Sequence, residues 1–569
     1  MILNIDKQII MQNRTAIIIG LILSFFSNVQ LYAQQDKDNN NLTQQVQVVR
    51  PYEPSISDAF KLNMLPQVED TIRIEPTFSY NLTLRPVTID FPINLISPAR
   101  MVAEPLTRAN WGYVKAGFGN YTSPMAQIYF SSTRQKDYSY GASLKYNGSF
   151  GRIKLDNGEK VPGKFQQFGV SAFGKKIFKA SALDGGINFS NYSYGFYGYD
   201  TTQAALPMPS DIEKQKQQYV NLGLNYYTTH TDSLNLNYKI NTRYTNFSDM
   251  YSNHQNTFEI KANLDKFFKI EKIGANISFK HHAAETNLTN ANQTLLNIAP
   301  WIGLFGKQWR TQAGVSAIIE MNEWGTQSHF YPIALLSYDV IGNYFIPYFQ
   351  FKGYLEDNHY AKILAENPWA TPGINTANTS HKFIVKGGMK GNLSSRVAYN
   401  ISASYSIVDS AYFFVNSIDP SNAFLGNQFE VVYDNIQHKH LVGELTIAPT
   451  TSIKLAIQAE YNSYTMNELA SPWHKPNYIG RANLSYNLKD KIIANLGFYI
   501  EGQRDVQGFG GEVIEIDGIM DLSLGLEYRL NKRVSGFLNI NNITANRYHL
   551  WYLYPTQQFN MQGGITYAF

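Results

Sequence analysis

Apolar residues recur at every second position through most of this chain, and the last segment shows the pattern most fully. In Phe559–Phe569, the residues Phe559, Met561, Gly563, Ile565, Tyr567 and Phe569 share one face, and Asn560, Gln562, Gly564, Thr566 and Ala568 share the other. Side chains alternate across a strand, so this is a strand with one aromatic, apolar face and one small or polar face. Such an edge, left open, invites pairing with other chains. A soluble sandwich or a membrane barrel could carry it, the barrel by pairing its last strand with its first.

The same alternation recurs from Trp111 onward. Leu234, Leu236, Tyr238, Ile240, Thr242 and Tyr244 oppose Asn235, Asn237, Lys239, Asn241 and Arg243. Ile453, Leu455, Ile457, Ala459 and Tyr461 oppose Lys454, Ala456, Gln458 and Glu460, and the stretches at 138–147 and 522–530 repeat the design. The polar face separates the two folds. A soluble sheet meets bulk water with Lys and Glu, whereas here Asn, Ser, Gly and Thr dominate, as in a crowded lumen. Composition agrees: charged residues are 16%, aromatics 14%, and Tyr alone occurs 39 times, which suits interfacial aromatic girdles better than a soluble enzyme.

Connections between these segments alternate in length. Short ones lie near 134–137, 175–179, 230–233, 266–273, 306–309, 341–343, 393–395, 449–452, 489–491 and 531–533. Mostly longer ones lie between, at 150–166, 195–216, 247–255, 283–294, 322–329, 354–381, 409–438, 465–477, 503–518 and 543–557, and a further short one at 119–124 joins the first two strands. Short periplasmic turns and long outer loops are the outer-membrane signature, and the count predicts an all-β, antiparallel transmembrane barrel of about 22 strands. The β-like stretch from Ala411 to Asp434 reads as strand ends that continue past the membrane.

The amino-terminal part reads as an address and an arm. Lys7 and Arg14 precede an apolar run from Ala16 to Phe26, with a small residue at Ala33, which predicts a signal peptide over 1–33. Residues 34–110 then carry prolines at 51, 54, 66, 76, 86, 92, 98 and 105, too many for a sheet interior. They predict a Pro-rich periplasmic or lumenal arm, followed by the outer-membrane barrel over 111–569. With no cysteine, thiol chemistry and a lipid-modified cysteine are excluded. A net charge of +4 gives no case for nucleic acid.

The carboxyl-terminal third resembles the end of a TonB-dependent receptor barrel. The resemblance rests on Leu522–Tyr528 (LSLGLEY), Asn539–Thr544 (NINNIT), the loop residues Tyr548, Trp551, Tyr554 and Pro555, and the Gly564–Phe569 ending (GITYAF). It implies a 22-stranded outer-membrane barrel that imports scarce nutrients with energy from an inner-membrane complex. The folded plug of that family is not apparent. Gln45–Val49, with Val46 and Val48 on one face, stands where the family contacts its energy transducer, against the plainer reading of an ordinary arm strand. Val49–Phe60 resembles the arm of plugless, receptor-like barrels, a likeness that implies no activity. Phe559, Met561, Ile565, Tyr567 and Phe569 look like the closing strand and the signal read by the barrel-insertion machinery.

No catalytic motif, cofactor loop or metal-binding set stands out, so the chain reads as no enzyme. His281 and His282 point to opposite faces of a strand end and read as solvated. His438 and His440 share a face without an evident third ligand. Long loops on a rigid scaffold are where binding resides, which makes His359, Tyr360, Trp369 and Trp473 candidate ligand contacts against the plainer reading of loop-packing aromatics. The expected function is transport or admission of a solute across the outer membrane. The alternative is a structural or assembly component that anchors partner proteins. Expected partners are outer-membrane lipid, the barrel-assembly machinery, and either an energy transducer or a periplasmic or surface-exposed protein.

Overall fold

Twenty-two antiparallel strands, each paired with the next in sequence, form one wall, and the first and last pair to close it. The structure is a computed structural model that describes residues 110–569 apart from 134, 199–213, 230–234, 286–291 and 418–425. The predicted signal peptide and nearly all of the predicted arm, with Val46 and Val48, lie outside the described residues. The barrel belongs to the compact unit Ala59–Phe569.

Closure is made by Gly112–Gly119 and Asn560–Ala568, in register from Tyr113↔Ala568 to Gly119↔Gln562. Trp111 and Gly112 both donate to the Phe569 carbonyl, at 2.9 and 3.2 Å, and the Trp111 ring meets that of Phe569 edge-on at 4.7 Å. The edge that the sequence left open is therefore fully paired, as a barrel requires.

Burial is inverted relative to a soluble sheet. On the last strand Ile565 is 63% exposed, whereas Thr566 is 1% exposed. Val114, Ile187, Leu222, Ile298, Ile401 and Leu441 likewise face outward, while Gln217, Glu259, Ser316, Glu444, Ser523 and Glu527 are buried toward the lumen. A closed wall with an apolar outer face and polar groups inside is built to stand in lipid, where every backbone group must be paired within the chain. The protein is an outer-membrane barrel.

Both chain ends of the wall lie on the turn side. The turns there include residues 269–270, 395–396 and 451–452, whereas the opposite side carries the loops at 150–164, 357–378, 467–477, 502–518 and 542–559. Two outer connections expected to be long are tight instead. Residues 250–253 and 323–324 suffice, because Asp249 accepts from the Tyr251 and Asn253 amides and Asn322 from the Trp324 amide, which lets the ladders run almost to the tip. Strands Val397–Asn416 and Phe429–Thr450 pair up to Asn416↔Phe429, past an irregularity between Val408 and Ala411. At about 3.3 Å per residue they rise well beyond an apolar band of about 25 Å.

The wall has one thin junction. Strands Gly325–Tyr338 and Ile346–Glu356 share only five pairs, Ile333↔Lys352 to Ser337↔Tyr348, the shortest ladder of the wall among the described residues. Above it, residues 325–332 keep partners on one side only. The ladder stops beside Pro332, which has no N–H to give, and beside the irregularity at Gly353. A cleft of about 400 Å³ opens there, lined by Glu320, His329, Phe330, Tyr331, Asn378 and Lys382 among others.

Candidate functional site

The outer mouth of the barrel is covered by its own loops. The central piece is the 357–378 loop, which leaves the wall between the thirteenth and fourteenth strands. It holds the only helix among the described residues, Tyr360–Glu366, which the sequence reading did not anticipate. Asn358 closes the loop's base by donating to the Ala377 carbonyl at 3.0 Å and to Thr379 Oγ1 at 2.8 Å. The helix buries Tyr360, Ala361, Ile363 and Leu364 and ends at Asn367, whose extended backbone precedes Pro368. Its polar face is tied down: Lys362 pairs with Glu356 at 2.6 Å, and Glu366 with Lys475 at 3.2 Å and with the Tyr412 hydroxyl.

Beyond the helix, Trp369 joins three sectors of the wall. Its ring stacks on Tyr554 of the last outer loop at 4.0 Å. Its Nε1 donates to the Gly195 carbonyl at 3.0 Å, at the end of the fifth strand, where Tyr194 returns a bond to the Pro368 carbonyl at 2.7 Å. Its backbone carbonyl accepts from the Phe429 amide at 3.0 Å, and the Thr371 amide donates back to Phe429 at 2.8 Å. Around this centre, Leu155, Val161, Phe247, Tyr360, Phe414, Phe429 and Tyr554 form one buried cluster drawn from outer loops and the outer ends of strands. Arg547 adds a bond to the Leu155 carbonyl at 2.9 Å and an ion pair to Asp156 at 3.1 Å.

The roof's charges are set by burial. Burial raises the Glu366 carboxyl, but Lys475 and the Tyr412 hydroxyl outweigh it and hold the group below the usual range. His474 is buried, and burial, with Arg504 adding repulsion, drives its imidazole down to about 3. Its Nδ1 lies 3.0 Å from the Phe414 carbonyl, so the neutral ring donates there.

The four aromatic or histidine residues proposed from sequence as ligand contacts all lie in this roof. Tyr360 is 1% exposed and Trp473 2% exposed, both packed between loops, so neither ring faces outside in this closed arrangement. Trp369 is the junction just described. His359 stands at the N-cap position of the helix and lies against His282 and Asp357. His282 departs from the expectation of a solvated strand end: it is fully buried beneath the loop, whereas His281 faces out and contacts Thr294. The 75-residue separation of His282 from Asp357 left no local signal of their meeting. His438 and His440 do stack on one face, at 5.5 Å, but His438 contacts Asn462 and His440 faces Glu460. The closing-strand residues Phe559, Met561, Ile565 and Tyr567 face outward along the last strand.

No protein-family model and no curated protein matches the chain. Solved structures do. The ferric-catecholate import receptor Fiu from E. coli K12 matches with a TM-score of 0.61 at 10% identity, over 81% of this chain and 82% of that one. The siderophore receptor PirA from Acinetobacter baumannii matches with a TM-score of 0.61 at 9% identity, over 82% and 81%. The pyoverdine outer-membrane receptor FpvA from Pseudomonas aeruginosa matches at 0.59 and 11% identity, over 82% and 79%. At such identities the likeness establishes the fold, a closed 22-stranded barrel like those of these receptors.

Proposed function

We propose that this chain admits a solute across the outer membrane through its lumen, with the roof as the gate. The observation that carries this reading is the junction at Trp369, which binds three sectors of the rim across the mouth. A barrel serving only as an anchor has no need of a closure held by a few side-chain contacts. Loops held by local packing are also the segments that open at least cost. The similar structures are receptors for a ferric catecholate, a siderophore and pyoverdine, which makes a polar cargo of that size the first to try. Under this reading the arm over 34–110 lies on the periplasmic side or in the lumen. Val46 and Val48 contact an energy transducer, and the aromatic ending serves insertion.

Planar-bilayer recording of the full chain tests the gate. The intact protein should be nearly silent, and a variant with residues 360–374 replaced by a short Gly-Ser linker should conduct. Equal silence in the variant, together with no solute entry into liposomes, would overturn the reading.

A further inference from the structure

Three metal-ligand side chains converge where the roofing loop leaves the wall, and neither closure nor gating as described uses them. We propose that His282, Asp357 and His359 bind a divalent transition-metal ion of the zinc class, which latches the root of the 357–378 loop to the wall. Their donor atoms all lie within 4.8 Å of one another. His282 comes from the wall, and Asp357 and His359 come from the loop, so an ion here would join two elements rather than decorate one.

The imidazoles are arranged as ligands are. His282 Nδ1 lies 2.8 Å from Thr257 Oγ1, which can accept its N–H and leave the Nε2 lone pair aimed at the cluster. Nε2 is 3.0 Å from both Asp357 oxygens. His359 Nδ1 is buried without a hydrogen-bond partner, with Asp357 Oδ2 3.5 Å away. A buried nitrogen left in that state is costly unless something fills the gap. The two rings stack at 4.4 Å with 27° between their planes, so a rotation of the more exposed His359 ring brings both in-plane lone pairs onto one ion. The His359 side chain keeps 23% exposure, which gives an ion a way in from water.

Two imidazoles and one carboxylate select zinc and its neighbours in the first transition row over calcium or magnesium, which prefer all-oxygen sites. Three protein donors leave one position for water. Lys280 competes, with Nζ 2.8 Å from Asp357 Oδ2, but it also lies 3.1 Å from Glu259 and keeps that partner when a cation takes the Asp357 oxygen. Gln293 holds the other oxygen, Oδ1, at 2.8 Å and fixes the carboxylate's orientation.

The test uses the full chain, purified in detergent, stripped with a chelator, titrated with Zn²⁺ by calorimetry and counted for bound metal after desalting. One ion per chain is expected, with affinity at least roughly 10-fold weaker in His282→Gln, His359→Gln and Thr257→Val, and unchanged in His438→Gln. Proteolysis within 357–378 should slow with Zn²⁺ in the wild type and not in His359→Gln. Heat-dependent gel migration checks that each barrel is closed. His359 lies outside the wall, so its variant decides the matter if His282→Gln fails to fold. Absence of stoichiometric zinc, or equal zinc binding in His359→Gln, would overturn the proposal.

Discussion

Trp369 stacks on Tyr554 at 4.0 Å, with an angle of 25° between the rings, although the two residues leave the wall eight strands apart. The pair spans the mouth, and the Gly195 and Phe429 contacts of the same loop complete the junction. Removing a well-packed Trp side chain costs up to about 3–5 kcal/mol of local packing. Trp369→Ala should therefore raise bilayer conductance and loop proteolysis while the barrel still closes. Trp369→Phe, which keeps a ring but loses the bond to Gly195, should fall between.

Closure depends on a glycine whose neighbour is free to vary. A Cβ on Gly564 would collide with the Ala116 carbonyl of the first strand and would stand 2.7 Å from the Phe537 ring. At Gly563 the nearest atoms are ordinary contacts at 3.5 and 3.7 Å. Gly564→Val should abolish the folded band on unheated gels, since the collision is with backbone that the ladder holds in place. Gly563→Ala should run as wild type.

His474 gives the roof a pH dependence. Its imidazole is lowered from 6.5 to about 3, so the fold favours the neutral ring. That stability is complete above the unfolded value of 6.5 and is lost as pH falls from 6.5 toward 3, by up to about 1.4 kcal/mol per unit. His359, also lowered by burial, adds in the same direction. Glu366 and Asp357, held below the usual carboxylate range, yield only at lower pH. Conductance should therefore rise as the outer bath goes from pH 7 to about 5, and His474→Gln should flatten most of that rise.

The wall was legible because its signal is local. Leu524, Leu526 and Tyr528 against Ser523, Gly525 and Glu527 reveal two faces within six residues, and lipid and lumen then sort those faces without further information. The number of turns fixed closure for the same reason. The roof was not legible. The Tyr197 hydroxyl bonds the Pro555 carbonyl across 358 residues, and the helix at Tyr360 is too short for periodicity to betray it. His282 looked like a strand end because its cover arrives from a loop 75 residues away. Candidate aromatics could be picked out, but whether each faced cargo or another loop depended on contacts that no spacing records.

The thin junction yields the last prediction. Between Gly325 and Pro332 the ladder is formed on one side, and across the gap the Tyr331 hydroxyl reaches Ser380 Oγ at 2.8 Å. Phe330, next in sequence, is 73% exposed on the outer surface. Amides of this stretch that point toward the gap should exchange with solvent deuterium well before those of residues 333–337, which the five-pair ladder protects. Removing the hydroxyl in Tyr331→Phe deletes one hydrogen bond, about 1 kcal/mol or roughly a fivefold faster exchange, confined to this segment. The chain has no cysteine, so a single cysteine placed at Phe330 can carry a fluorophore alone. Nitroxide-bearing lipid should quench it strongly, and should quench a label at the lumen-facing Ser316 little. Equal exchange on both sides of Pro332 would mean that the wall is continuous there and that the cleft is closed in solution.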